Sequence, residues 1–151
     1  MRLTAFTDYT LRVLMYLAVH RDGLVTIPRI AAAYGVSKNH LMKVVHALVR
    51  AGVVESVRGK GGGLRLAVPP EEIRLGAIVR ASEGEQPIVE CLAEDGGGDA
   101  CRIVAVCRLQ GALVAGFEAL YRTLDGYTLA DLAGNARPLR LALLGERARR
   151  A

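Results

Sequence analysis

Apolar positions near the start of the chain recur at helical steps. Phe6, Tyr9, Val13 and Leu17 are three and four residues apart, which predicts a helix over residues 4–19 with one apolar stripe. Asp8 lies one turn in and off that stripe. A short second helix fits TIPRIAAAY, where Thr26 can cap and Pro28 falls early enough that its missing N–H is harmless. Gly35 ends it. Ser37 is placed to cap a third helix, SKNHLMKVVHALVRAG. This helix turns Leu41, Val44, Val45 and Leu48 inward and leaves Lys38, Asn39, His40, Lys43 and His46 outward until Gly52 stops it.

The pattern then shifts from helical to extended. VVESV and LRLAV are short β-prone runs joined by RGKGGG, whose glycines allow a close-approaching tip carrying Arg58 and Lys60. A helix, a tight glycine turn, a second helix with a basic outer face and a hairpin are the parts of a winged helix-turn-helix. The competing reading is a small helical domain with a solvated basic face. Farther on, PPEEIRLGAIVRASEG predicts a short helix around Gly76 to Glu83, packed by Ile78 and Val79. A longer helix is expected from Arg102 to Leu124. Its Leu109, Leu113, Phe117, Leu120 and Leu124 form a heptad-like seam, which either seeks a partner helix or packs on its own domain. TLADL makes a closing turn. The tail from Asn135, with five arginines and one acid, Glu146, reads as mobile.

Charge sharpens this picture. From Thr26 to Arg65 the bases are Arg29, Lys38, Lys43, Arg50, Arg58, Lys60 and Arg65, against one acid, Glu55. From Ser82 to Ala100 the signs reverse, with Glu83, Glu85, Glu90, Glu94, Asp95 and Asp99 and no base. The first region suits a polyanion, and the second would be repelled by it. No run of about 18 apolar residues appears and Asp8 interrupts any signal-like segment, so no membrane partner and a cytoplasmic location are expected.

The acidic stretch leads into CLAEDGGGDACRIVAVC, which holds all three cysteines, Cys91, Cys101 and Cys107. An odd number cannot pair off, and in a reducing compartment clustered thiols point to metal or reactive chemistry. Four readings stand at this point. Structural zinc prefers four ligands with at least one close pair, whereas the gaps here are nine and five residues. A redox switch needs a readily ionised thiol, which crowded carboxylates oppose. Inert buried cysteines are the third reading. The fourth is an iron–sulfur cluster, which takes thiolates at irregular spacings and needs a further ligand once three cysteines are used. Six residues apart on one helix, Cys101 and Cys107 would point about 120° away from each other. Cys101 is therefore expected in a loop, with Cys107 entering the first turn of the long helix. The histidines, His20, His40 and His46, are all in the N-terminal half, so a carboxylate is the better candidate for the remaining ligand.

MRLTAFTDYTLRVLMYLA, SVRGKGGGLRLA, the late three-cysteine segment and YTLADL together resemble the NsrR nitric-oxide-sensing repressors, relatives of the iron–sulfur regulator IscR. The resemblance spans about residues 1–133. Its most specific part is FTDY, because the IscR branch differs there and places a histidine ligand three residues after its last cysteine, where this chain has Gln110. The resemblance implies a [4Fe–4S] cluster, with [2Fe–2S] as the alternative, held by Cys91, Cys101, Cys107 and Asp8 of the other subunit. An oxygen ligand on a site otherwise held by sulfur would be its weakest bond and an entry point for nitric oxide.

The fold class expected is mainly α with a small β-wing: a winged helix-turn-helix plus a long C-terminal dimerisation helix. Residues 1–83 form the DNA-binding domain, 84–107 the cluster-binding loop, 108–133 the dimerisation helix and closing turn, and 134–151 the basic tail. The function expected is a homodimeric repressor, not an enzyme, that binds double-stranded operator DNA and releases it on nitrosylation of the cluster. Candidate DNA contacts are Ser37, Lys38, Asn39, His40 and Lys43 on the reading helix and Arg58, Lys60, Gly61 and Gly62 on the wing tip. Alternatives are a regulator sensing iron or cluster supply through the same ligands and, in another class, an iron–sulfur electron-transfer protein.

Overall fold

The computed structural model describes residues 3–84, 89–93, 101–134 and 136–144. Helix α1 (Ala5–Val19) runs through the middle of the molecule, with Val13, Leu14, Tyr16 and Leu17 fully buried. Thr4 caps it, its hydroxyl accepting the Thr7 amide at 3.2 Å. Glu83 in turn accepts the Thr4 amide and hydroxyl at 2.9 and 3.1 Å, tying the start of α1 to the end of α4 (Leu75–Glu83).

Helices α2 (Ile27–Tyr34) and α3 (Lys38–Arg50) follow. Gly35 joins them in the left-handed conformation (φ 64°), which glycine adopts without a side-chain clash. Neither Thr26 nor Ser37 makes a side-chain cap bond; each offers its backbone carbonyl to the first turn instead. Leu41, Val44, Val45 and Leu48 are buried, as their spacing predicts. Strands β1 (Val54–Val57) and β2 (Gly63–Leu66) form an antiparallel hairpin that pairs Glu55 with Arg65. Val25 bridges to Leu64 and anchors the hairpin to the helical core.

Two further expectations need correction. The long helix, expected from Arg102, is α5 (Leu109–Asp125), because residues 102–108 are irregular and include a single 3₁₀ turn at Val104–Val106. Cys107 therefore precedes the helix in an extended conformation (φ −77°, ψ 118°) and does not lie in its first turn. Nor is the tail mobile throughout. Residues 136–144 form α7 (Ala136–Leu144), which lays Leu139 and Leu143 on the core while Arg140 reaches Asp22 at 3.2 Å. Its apolar residues recur at helical steps beneath the arginines, so composition masked an amphipathic helix. The remainder, 145–151, lies outside the described residues. Between α5 and α7, the closing turn is α6 (Leu129–Ala133), opened by a Thr128–Asp131 capping box.

Helix α5 contacts the rest of the chain mainly through α4. Arg80 grips Asp125 with two bonds of 3.2 and 2.8 Å and lies over the Tyr121 ring at 4.7 Å. Gly76 sits under this clamp, and a Cβ there would approach the Tyr121 carbonyl oxygen to 2.7 Å. No residue of α5 is buried. No helix among the described residues is long and apolar enough to cross a membrane.

Candidate functional site

The outer face of α3 carries Lys38, Asn39, His40 and Lys43, all exposed, with Ser37 exposed just ahead of them. Because the Ser37 hydroxyl is not spent on capping, it points from a helix N-terminus whose first amides remain available to an anion. The wing tip continues this surface. Gly61 adopts φ +82° and Gly62 donates to the Gly59 carbonyl at 3.0 Å, while a Cβ on Gly62 would run into the Val57 carbonyl. The glycines thus let the turn close tightly, and Arg58 and Lys60 on it are exposed. None of Lys38, Lys43, Arg58 and Lys60 forms an ion pair among the described residues. Arg65 does, at 2.8 Å from Glu55 across the hairpin, so the base of the wing is electrically neutral.

The cysteine segment follows α4 in the chain. Cys91 is in a 3₁₀ turn (Glu90–Leu92), Cys101 accepts the Val104 amide through its carbonyl at 3.1 Å, and Cys107 immediately precedes the Arg108 cap of α5. All three are free thiols, partly exposed. Residues 94–100, with the glycine run, lie outside the described residues, and no cluster of metal-ligating side chains forms among the described ones. Apolar Ile103, Val104, Val106 and Leu109 are exposed around Cys101 and Cys107.

Asp8 is half-exposed on α1 and bonds Arg12, one helical turn on, through two contacts of 2.9 Å. Arg12 in turn spreads over the ring of Tyr34, the last residue of α2, at 5.6 Å. Burial holds the Tyr34 phenol protonated, its pKa pushed up to about 12. Next to Asp8, Tyr9 stacks on His40 of α3, with ring centroids 5.9 Å apart. The carboxylate is therefore one side chain away from both helices of the helix-turn-helix. Sequence reading passed over Arg12, although its four-residue spacing from Asp8 was an available signal.

Comparison with known proteins places this architecture. The Rrf2 family model, described as an iron-dependent transcriptional regulator, matches residues 3–135. The HTH-type transcriptional regulator NsrR of Bacillus subtilis is 48% identical over 136 residues, 89% of this chain and 92% of that protein. The NsrR of Geobacillus kaustophilus is 46% identical over 97% of this chain and 99% of its own length. Among solved structures, T. potens IscR superposes with a TM-score of 0.71 at 27% identity, covering 90% of this chain and 88% of that one. CymR, the global cysteine regulator of B. subtilis, gives 0.67 at 28% identity, with coverage of 89% and 98%. These relatives are regulators, not enzymes, and the winged helix with its basic face is the part of the fold that such a role requires: this chain belongs to the Rrf2 family of transcriptional regulators.

Proposed function

We propose that two copies of this chain form a repressor that binds an inverted-repeat operator and senses nitric oxide through an iron–sulfur cluster, of the [4Fe–4S] type. Cys91, Cys101 and Cys107 of one copy and Asp8 of the other would hold it. The donors fit: three free, partly exposed thiols lie ahead of α5, and a half-exposed carboxylate is engaged, among the described residues, only by a neighbour on its own helix. When bound, the cluster supplies irons that react with nitric oxide. The NsrR relatives, 42–48% identical, support that signal.

The observation that carries the reading is the short path from Asp8 to the DNA-facing helices. A carboxylate serving a second copy is withdrawn from Arg12; once released, it recovers that ion pair. Arg12 rests on Tyr34 of α2, and Tyr9 beside Asp8 rests on His40 of α3, so either state of Asp8 biases how the reading helix is presented. Lys38, Asn39, Lys43 and Ser37 would meet the major groove, with Arg58, Lys60 and the Gly61–Gly62 tip on the backbone or minor groove.

The test combines colour with affinity. Protein purified without oxygen should absorb in the visible, and nitric oxide should change that spectrum while weakening binding to a duplex selected from a random pool by at least about tenfold. Replacing any one of the three cysteines by alanine should remove the colour. Colourless protein whose DNA affinity ignores nitric oxide would overturn the reading. A second reading, a sensor of iron or cluster supply, is favoured by the iron-dependent description of the family. It predicts release on iron depletion but indifference to nitric oxide.

A further inference from the structure

Met42 is the one large apolar side chain on α3 that faces solvent, 56% exposed in the middle of the surface described above. The other outward positions of the helix are polar or small. Lys38 and Asn39 lie one turn before Met42, Lys43 is adjacent and His46 is one turn after, all exposed. Leaving a thioether in water forfeits the transfer free energy that burial would return, so the position favours a partner with an apolar group at that point. That partner is not an apolar protein surface, because a single methionine ringed by two lysines, an asparagine and a histidine is no contiguous apolar patch. Its surroundings suit a polyanion that offers one isolated apolar group. The major-groove edge of duplex DNA is such a surface, since among its hydrogen-bonding groups the C5-methyl of thymine is the apolar feature. Met42 is the fifth residue of α3, still within the N-terminal half that enters the groove in helix-turn-helix proteins.

We infer that Met42 is a specificity-determining residue that packs its thioether against a thymine methyl in each operator half-site. The inference rests on the DNA-binding role proposed above, and the two can fail separately. The probe is a duplex selected from a random pool by the parent protein, in which each thymine is replaced in turn by deoxyuridine, removing one methyl and nothing else. One thymine per half-site should prove sensitive, its replacement weakening binding of the parent about fourfold, the worth of one buried methyl group. Met42→Gln, of similar length but polar at the contact, should bind thymine and uracil duplexes equally. Met42→Leu should retain the preference. A parent indifferent to every uracil replacement, or a Met42→Gln protein with the parent's full preference, would overturn the inference. Failure of the pool to yield any bound duplex would instead overturn DNA binding itself.

Discussion

The imidazole of His20 follows the last residue of α1 with both ring nitrogens sealed from solvent and without a hydrogen-bond partner among the described residues. Burial, followed by the positive charges of Arg29 and Arg140, lowers its pKa, and Asp22 opposes them only in part. The unfolded chain takes up a proton as pH falls through about 6.5, whereas the fold resists it. His20 therefore makes no demand on stability above that range and erodes stability below it. The urea midpoint of the parent should fall more between pH 8 and pH 5.5 than that of His20→Leu; parallel falls would remove His20 as the cause. Asp8 supplies the second prediction at this scale. On the proposed ligand set three thiolates would remain in Asp8→Ala, so a less stable cluster should still assemble. Operator affinity should then differ several-fold less between cluster-bound and cluster-free protein than in the parent. Titrating one duplex at one salt concentration, with and without cluster, decides the point.

Two elements make predictions of their own. The α4–α5 contact depends on Gly76, because the Tyr121 carbonyl and the clamped Asp125 leave no room for a side chain. Gly76→Ala should cost about 1–3 kcal/mol in urea unfolding, the usual cost of overpacking. Arg80→Ala, which removes an exposed pair, should lower the urea midpoint by clearly less than Gly76→Ala does. In the wing, Lys60 is unpaired among the described residues but Arg65 is already bonded to Glu55. Lys60→Ala should lower the salt dependence of DNA binding by about one phosphate per subunit, and Arg65→Ala by clearly less. Equal slopes for the two variants would mean that the Glu55 pair opens on DNA.

At the scale of the molecule, α5 is held to the winged helix near its C-terminal end, while Leu109 and Val114 stay exposed and Leu113, Phe117 and Leu120 are only partly covered. A seam left open on a 17-residue helix is what two copies would close between them. If two copies pair through this seam as proposed, Phe117→Glu should yield a monomer by sedimentation equilibrium and cut operator affinity by at least about a hundredfold, since one wing would then act without its tethered twin. A dimer that survives the substitution would place the interface elsewhere.

Periodicity and turn chemistry were enough to read the helix-turn-helix, the hairpin and the closing turn from the chain. Each is a local choice: Leu41, Val44, Val45 and Leu48 define one face, Gly35 supplies one left-handed residue, and RGKGGG admits one tight tip. The exposed basic residues were legible for the same reason, because a helix with one buried face must turn the other outward. The start of α5 was not legible, since Arg102–Leu109 is apolar enough to continue a helix yet turns irregular in the fold. Helix α7 escaped because its arginine-rich composition masked the apolar spacing, while its docking on α1 and α2, across more than a hundred residues, was decided by tertiary structure. The surroundings of Asp8 beyond Arg12 were decided by tertiary structure alone. The Arg12 bond is local, but Tyr34 beneath it and His40 against Tyr9 come from other helices, and only the packing of α2 and α3 on α1 brings a carboxylate near the start of the chain beside the exposed basic face of α3.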